Sequence, residues 1–352
     1  MKKFKKLRAF GLFDQDIRLS KLSKLGDPLE KLSDSIDFEM FRDMLVLNLS
    51  KLELGKGGRP PYDYVLMFKI LILQRYFNLS DDQAEFQIND RMSFMRFLNL
   101  TIADDIPDSK TIWNFKETLT DIQIIESIFD LFTSKLDGLG LIIKKGQIVD
   151  ASFIEVPKQR NSREENTLIK EEGKAPADWT PNKLAQKDTD AKWTKKNNVS
   201  YYGYKNHVKV DSESKLITQY VVTDASVHDS QPLDQLLNDT DKNQSLHGDS
   251  AYTGIDQETV ISQKEMTNEI HEKGYRNKPL TEEQKLSNTE KSRTRARVEH
   301  IFGFMENNMN TMELKSIGMK RITAVVGLLN LTYNMFRMIQ LHEIQGRSVL
   351  IG

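Results

Sequence analysis

Three carboxylates stand at positions from which they could act together. Asp150 closes the apolar run Ile148-Val149-Asp150-Ala151-Ser152, and Asp249 sits in Leu246-His247-Gly248-Asp249-Ser250-Ala251-Tyr252. Each run has the pattern of a short strand that ends in an acid. Glu299 lies in Arg295-Ala296-Arg297-Val298-Glu299-His300-Ile301-Phe302-Gly303, a helical stretch in which Val298, Ile301, Phe302 and Met305 share one face. If the two strands are neighbours and that face packs on the sheet, the three acids meet at one edge. Oxygen donors with few competing nitrogens suit hard divalent ions such as Mg2+, which keep positions open for water and phosphate. Two such ions ~3.5–4 Å apart can stabilise both the attacking and the leaving oxygen of a phosphodiester displacement. Plainer explanations exist for each piece. Strand-end aspartates cap turns, and Arg295 with Glu299 at i, i+4 can be a surface ion pair worth ~0.3–0.5 kcal/mol.

Other chemistries find no support. The chain has no cysteine, which removes disulfides, thiolate zinc sites, iron–sulfur clusters and cysteine nucleophiles. Gly55 to Gly58 lacks the Gly-Lys-Ser/Thr ending of a phosphate loop, and no dinucleotide fingerprint follows a strand. The six histidines show no HExxH spacing, and no Gly-x-Ser-x-Gly elbow is present. With 50 basic and 51 acidic residues the formal charge is −1, so any nucleic-acid role must rest on local basic patches.

The elements that must position these acids follow from pattern. At 352 residues about two domains are expected. Residues 1–140 read as a helical domain. Asp37 can cap a helix carrying Phe38, Phe41, Leu45 and Leu49, and Gly57 to Pro61 breaks the chain. Tyr62 to Phe77 is apolar on nearly every face, so it should lie at the centre of a bundle. Ser80 with Gln83 has the spacing of a capping box. Asp108 or Ser109 can cap a helix through Ile112, Trp113 and Phe115 that leaves Lys110, Asn114 and Lys116 for the other side, as a DNA-recognition helix would. Residues 141–345 read as an α/β domain: the strand ending at Asp150, a hairpin of His207–Val210 and Leu216–Thr223, a helix after Pro232, the stretch ending at Asp249, and a long helix from about Ser292. Residues 160–199, dense in charge and poor in aliphatics, suggest a flexible surface insertion in which Trp179 and Trp193 pin the loop. The basic start, Lys2 to Arg8, runs into Asp14, Asp16 and Arg18 rather than an apolar segment, so a solvated arm is expected in place of a signal peptide. Asn330, Asn334 and Arg337 interrupt the apolar stretch Ile322 to Ile339, which therefore reads as a buried helix rather than a membrane span. A cytoplasmic protein is expected.

The ordered strings Val149-Asp150-Ala151-Ser152, Tyr202-Gly203-Tyr204-Lys205-Asn206-His207, Gly248-Asp249-Ser250-Ala251-Tyr252 and Arg295 to Gly303 resemble those of the DDE transposases of bacterial insertion sequences, most nearly the insertion sequence five family. Asp188-Thr189-Asp190-Ala191-Lys192-Trp193-Thr194 and the helical region from Gly58-Arg59-Pro60 to Trp113-Asn114-Phe115 are similar too, so the likeness spans nearly the whole chain. It implies a ribonuclease H-like core, a mixed five-stranded sheet with flanking helices, behind an all-α DNA-binding or dimerisation domain. Asp150, Asp249 and Glu299 match the catalytic triad, which would hold two Mg2+ or Mn2+ ions. Lys205, Arg295 and Arg297 fall in motifs whose basic side chains could hold phosphates; Tyr252 and His300 fall there with packing or positioning roles. A sister group has tyrosine and lysine around its last acid, where this chain has Ser292 and Glu306. The implied partners are double-stranded DNA, as inverted-repeat ends and target, and further copies of the chain, at least a dimer, on the bacterial nucleoid and away from membranes. A DNA-binding regulator without catalysis and a nuclease that cuts without joining are the alternatives.

Overall fold

The computed structural model describes residues 11–53, 60–309 and 314–345. The basic arm at Lys2 to Arg8 and the Gly57-Gly58-Arg59 break lie outside the described residues. Eight helices come first: α1 (Asp14–Lys24), α2 (Pro28–Ser35), α3 (Arg42–Glu53), α4 (Tyr64–Phe77), α5 (Asp81–Asp90), α6 (Met92–Leu98), α7 (Ser109–Asp121) and α8 (Ile124–Gly138). Their starts obey local chemistry. Ser80 and Gln83 form the reciprocal capping box of α5, and Asp108 Oδ1 accepts the Thr111 N–H at 2.7 Å to open α7. Asp37 caps a 3-10 turn, Phe38–Phe41, and α3 follows from Arg42. Helix α4 buries nearly every residue from Val65 to Gln74, as its all-round apolar sequence requires.

The sheet contains β1 (Gly146–Glu155), β2 (Lys192–Lys196), β3 (Val199–Asp211), β4 (Ile217–Asp224), β5 (Ser245–Gly248) and β6 (Thr267–Ile270). Around it lie α9 (Arg163–Glu172), α10 (Pro181–Ala185), α11 (Leu233–Leu236), α12 (Ile255–Gln263), α13 (Glu282–Arg295), α14 (Glu299–Asn307) and α15 (Met319–Gln345). The core order is β4-β3-β1-β5-β6, with β3 antiparallel to β1 and β4, and with β5 and β6 parallel to β1. That is the ribonuclease H-like arrangement. The sheet has six strands rather than the expected five, because β2 pairs with the first residues of β3 on the edge that β4 occupies further along.

This sixth strand corrects the expectation of a flexible 160–199 insertion. Ser162 and Glu165 build a capping box for α9, Glu165 also accepts from Trp179 Nε1 and Lys183 Nζ, and Trp179 is 8% exposed. A single carboxylate thereby organises the segment, which supplies with polar bonds the order that aliphatic burial supplies elsewhere. Trp193 is 54% exposed and lies against Tyr202. Beyond Lys187 the Asp188-Thr189-Asp190 string is structural: Asp188 Oδ1 accepts from Tyr204 Oη at 2.7 Å, while Asp188 Oδ2 and Asp190 Oδ2 accept the N–H groups of Gly318 and Met319 at the start of α15.

Helix α15 is the spine that joins the two halves, packing on α2, α4, α7, α8 and β4, and one buried apolar cluster runs from Leu29 to Leu341. By length and composition alone it could cross a membrane, yet 89% of its apolar window is buried within the fold. The polar residues that interrupt it face the sheet. Asn330 pairs with Asn206, Asn334 bonds both the N–H and the C=O of Ile217 at 2.9 and 2.7 Å, and Arg337 Nε donates to Ser214 O at 2.7 Å. Asn334→Leu strands both Ile217 groups in a dry interface, so we expect a loss of ~1–3 kcal/mol in urea unfolding. Unchanged stability would show that water replaces the amide.

Candidate active site

Strand β1 pairs with β5 in parallel, Gly146 with Ser245, Gln147 with Leu246 and Ile148 with His247. Continuing that register brings Asp150 level with Asp249, on the same face of adjacent strands. Asp249 follows the last residue of β5, while Asp150, which the sequence placed at a strand end, lies mid-strand because pairing with β3 extends β1 to Glu155; the two acids stand where β5 parts from β1 and leaves a crevice. Each carboxylate is steadied by the backbone: Asp150 Oδ1 accepts the Ala151 N–H and Asp249 Oδ1 the Ala251 N–H, both at 2.8 Å. Burial pushes the Asp150 carboxyl up to about 6, and the nearby Asp249 charge adds to the push; the Ala151 N–H and the Arg295 guanidinium pull the other way.

Glu299 reaches this pair only through an arginine. Helix α13 begins ten residues before the predicted start at Ser292, ends at Arg295, and gives way to a 3-10 turn, Ala296–Val298, so that Glu299 opens α14. Val298, Ile301 and Met305 are buried as expected and fix α14 on the core; Phe302 is half-buried. Arg295 Nη1 donates to Asp150 Oδ2 at 3.4 Å and Nη2 to Glu299 Oε1 at 3.1 Å. The Glu299 side chain is 64% exposed against 17% for Asp150. Among the described residues no three acids or histidines lie close enough to share a metal ion. The three expected acids are arranged as an aspartate pair plus a glutamate held off by a guanidinium, whose positive charge sits between Asp150 and Glu299. The donor set still fits a hard divalent ion: two level carboxylates, one with its pKa raised chiefly by burial and further by the other's charge, gain from a cation between them.

Behind the pair lies a second polar group. Lys205 is buried, donating to Asp229 Oδ1 and to Val227 O at 2.7 Å each, and Lys196 lies 3.8 Å from the same Asp229. Asp229 is a functional candidate missed in the sequence; the acid in Val227-His228-Asp229-Ser230 just beyond β4 was the available signal. The Tyr252 hydroxyl is buried with no hydrogen-bond partner among the described residues, and burial plus the charges of Asp150, Asp229 and Asp249 keep it protonated. His207 Nε2 bonds Thr223 Oγ1 at 2.8 Å. Burial pushes its pKa down to about 4, against the opposing pull of Asp229 and with help from Lys205. An unfolded histidine protonates near ~6.5. Below that pH the unfolded chain binds more protons, so the stability present above ~6.5 is lost as pH falls towards 4. Urea midpoints should drop across this window in the native chain and less steeply in His207→Gln; parallel profiles would refute the neutral ring.

The expected DNA contacts divide. Lys110 is exposed on α7. Lys116 is half-buried with its ammonium 2.6 Å from Asp81, and the buried Lys205 is paired with Asp229, as a buried ammonium needs its carboxylate. Arg295 lies between acids, and Arg297 holds Ser212 O and Glu213 at 2.6 and 2.9 Å.

A family model described as a transposase DDE domain matches residues 143–335, more than half of the chain, and one described as a transposase domain matches residues 17–118. The chain belongs to the DDE transposase family. Two solved structures are similar at low identity. One is a piggyBac transposase synaptic complex with hairpin DNA, at 14% identity and a TM-score of 0.46, covering 94% of this chain and 78% of that one. The other is a pre-cleavage Mos1 transpososome, at 9% identity and a TM-score of 0.17, covering 94% and 98%. In this transposase the ribonuclease H-like assignment rests on strand order, and the site on the level aspartates.

Proposed function

We propose that this transposase cuts DNA at the inverted-repeat ends of its element and joins the freed 3′ hydroxyls to target DNA, with Asp150, Asp249 and Glu299 as the acids of the reaction. One observation supports this most directly: the β1–β5 register levels two carboxylates where β5 ends, and Arg295 links Asp150 to Glu299. Asp150 and Asp249 would hold Mg2+ or Mn2+, and Glu299 would join them once its side chain leaves Arg295. When bound, such ions neutralise phosphate charge and activate water or a hydroxyl for attack. The chain's own residues set the stage. The aspartates concentrate negative charge where cations and phosphate must meet, Lys205 neutralises the neighbouring Asp229, and Arg295, released from the acids, can turn its guanidinium to a phosphate oxygen. Lys110 on α7 supports a DNA-facing role for the helical half. Two ends processed together call for at least a dimer, acting on chromosomal DNA in the cytoplasm.

The test is to incubate the purified chain with Mg2+ and a plasmid bearing the inverted repeats that flank its reading frame. End-specific nicking followed by joined products supports the proposal. Cutting without joining leaves a nuclease, and binding without cutting leaves a regulator.

A further inference from the structure

A cavity of about 570 Å3 opens beside the candidate site, between α14, α15 and the turn that joins β3 to β4. Its lining includes Glu299, His300, Asn307, Lys215, Arg337 and Gln340. Glu299 is the only carboxylate among its lining residues, and it is engaged with Arg295. The rest of the polar lining is Lys215, Arg337, His300, Tyr333 and amides, and Gln340 Oε1 accepts from Arg337 Nη1 at 2.9 Å.

The turn is built to hold Lys215 there. Asp211 Oδ1 accepts the N–H groups of Glu213 and Ser214, and Asp211 Oδ2 that of Lys144, so the turn is closed from inside. Helix α15 then clamps it, with Tyr333 Oη donating to Lys215 O at 2.9 Å and Arg337 Nε to Ser214 O at 2.7 Å. Arg297 pins the far side through Ser212 O and Glu213. Lys215 itself takes a left-handed backbone, φ 62°, and lines the cavity. Among the described residues its ammonium has no ion-pair partner, and the charges around it are those of Arg337 and Arg297. Together with partial burial, these two neighbours lower its pKa. Three cations gathered beside this cavity repel one another, and Glu213, the nearby acid, is already taken by Arg297. Such a cluster is stabilised by an anion.

We infer that the cavity lined by Lys215 and Arg337 is a second phosphate site, one that grips a backbone phosphodiester of the bound DNA away from the scissile one. The inference rests on the DNA-cutting function proposed above, and adds to it a grip that none of the sequence motifs contains. Lys215 and Arg337 meet through tertiary structure, from a hairpin turn and from the last third of α15. Glu299 lines the same cavity, so a duplex seated in it is led past the third acid of the site.

The test uses the full chain without divalent metal and a labelled duplex carrying the flanking inverted repeat, titrated across a salt series. Each phosphate contact contributes about 0.9 to the slope of log K against log salt. Lys215→Asn keeps a residue that tolerates the left-handed backbone and should make the slope shallower by about one phosphate contact. Lys215→Arg, which retains the charge, should restore it. A Lys215→Asn slope equal to that of the native chain, while the native chain still cuts the duplex in Mg2+, overturns the phosphate site alone. A native chain that neither binds nor cuts the duplex overturns the proposed function and this inference with it.

Discussion

Asp249→Asn is expected to abolish Mg2+-dependent cutting of the element's ends, a fall of roughly 10³-fold or more, while the fold and end binding survive. The substitution keeps the side chain's volume and its Oδ1, so the bond from the Ala251 N–H, 2.8 Å in the native chain, remains to hold the turn after β5. What disappears is a negative charge. A neutral amide oxygen is a poor donor to a hard cation, and the charge stabilisation that such cations bring to phosphoryl transfer is worth several kcal/mol, each 1.36 kcal/mol being a factor of ten in rate. With Asp249 neutral, Asp150 also loses the like charge that helps raise its pKa, so that carboxyl should titrate lower in the variant. Plasmid nicking time courses, run beside circular dichroism spectra of both proteins, measure the effect. Full cutting by the variant would end the assignment of Asp249 to the reaction.

Asp241→Ala should be the most destabilising single change away from the site, by ~3–5 kcal/mol. Lys209 on β3 is 1% exposed and its ammonium lies 2.7 Å from Asp241 Oδ2, whose side chain is 3% exposed. Burial pushes the lysine's pKa down, and the aspartate's charge and hydrogen bond hold it protonated. Removing the carboxylate leaves a cation with neither water nor counter-charge, and also strips the Asn238 N–H of its acceptor. Replacing both partners by apolar residues, Lys209→Met with Asp241→Leu, should recover most of the loss, because the desolvation cost leaves with the charges. Urea unfolding of the single and double variants decides between these outcomes. A single-variant loss below about 1 kcal/mol would mean that water reaches Lys209.

Local chemistry was readable wherever a few neighbouring residues settle it. Ser80 with Gln83 and Asp108 before α7 open the helices expected of them, and Asp249 follows the last residue of β5, whereas Asp150, expected to close its strand, lies in the middle of β1 because pairing with β3 carries that strand on to Glu155. The 160–199 segment was misjudged because its order comes from Glu165 bonding Trp179 and Lys183, a polar solution that composition does not reveal. Helix α13 was placed too late because its Glu282 to Arg295 stretch buries nothing, which leaves no apolar stripe to read. The charges of Lys205 and Lys116 are visible in sequence, whereas the aspartates they pair with, 24 and 35 residues away, are not.

By itself the sequence determined which atoms are available for chemistry: oxygen and nitrogen donors without a thiol, two acids in or just after apolar strands, and a third on a helix with one apolar face. Only the tertiary structure decided how they meet. Parallel pairing of β1 with β5 levels Asp150 with Asp249 across 99 intervening bonds of chain, and the 3-10 turn after Arg295 rotates Glu299 outward, leaving a guanidinium between the acids. The physical reason is range. Capping, turn chemistry and amphipathic spacing act over three or four residues, while strand register and the sharing of charge between acids and arginines depend on residues that are neighbours only after the core has closed.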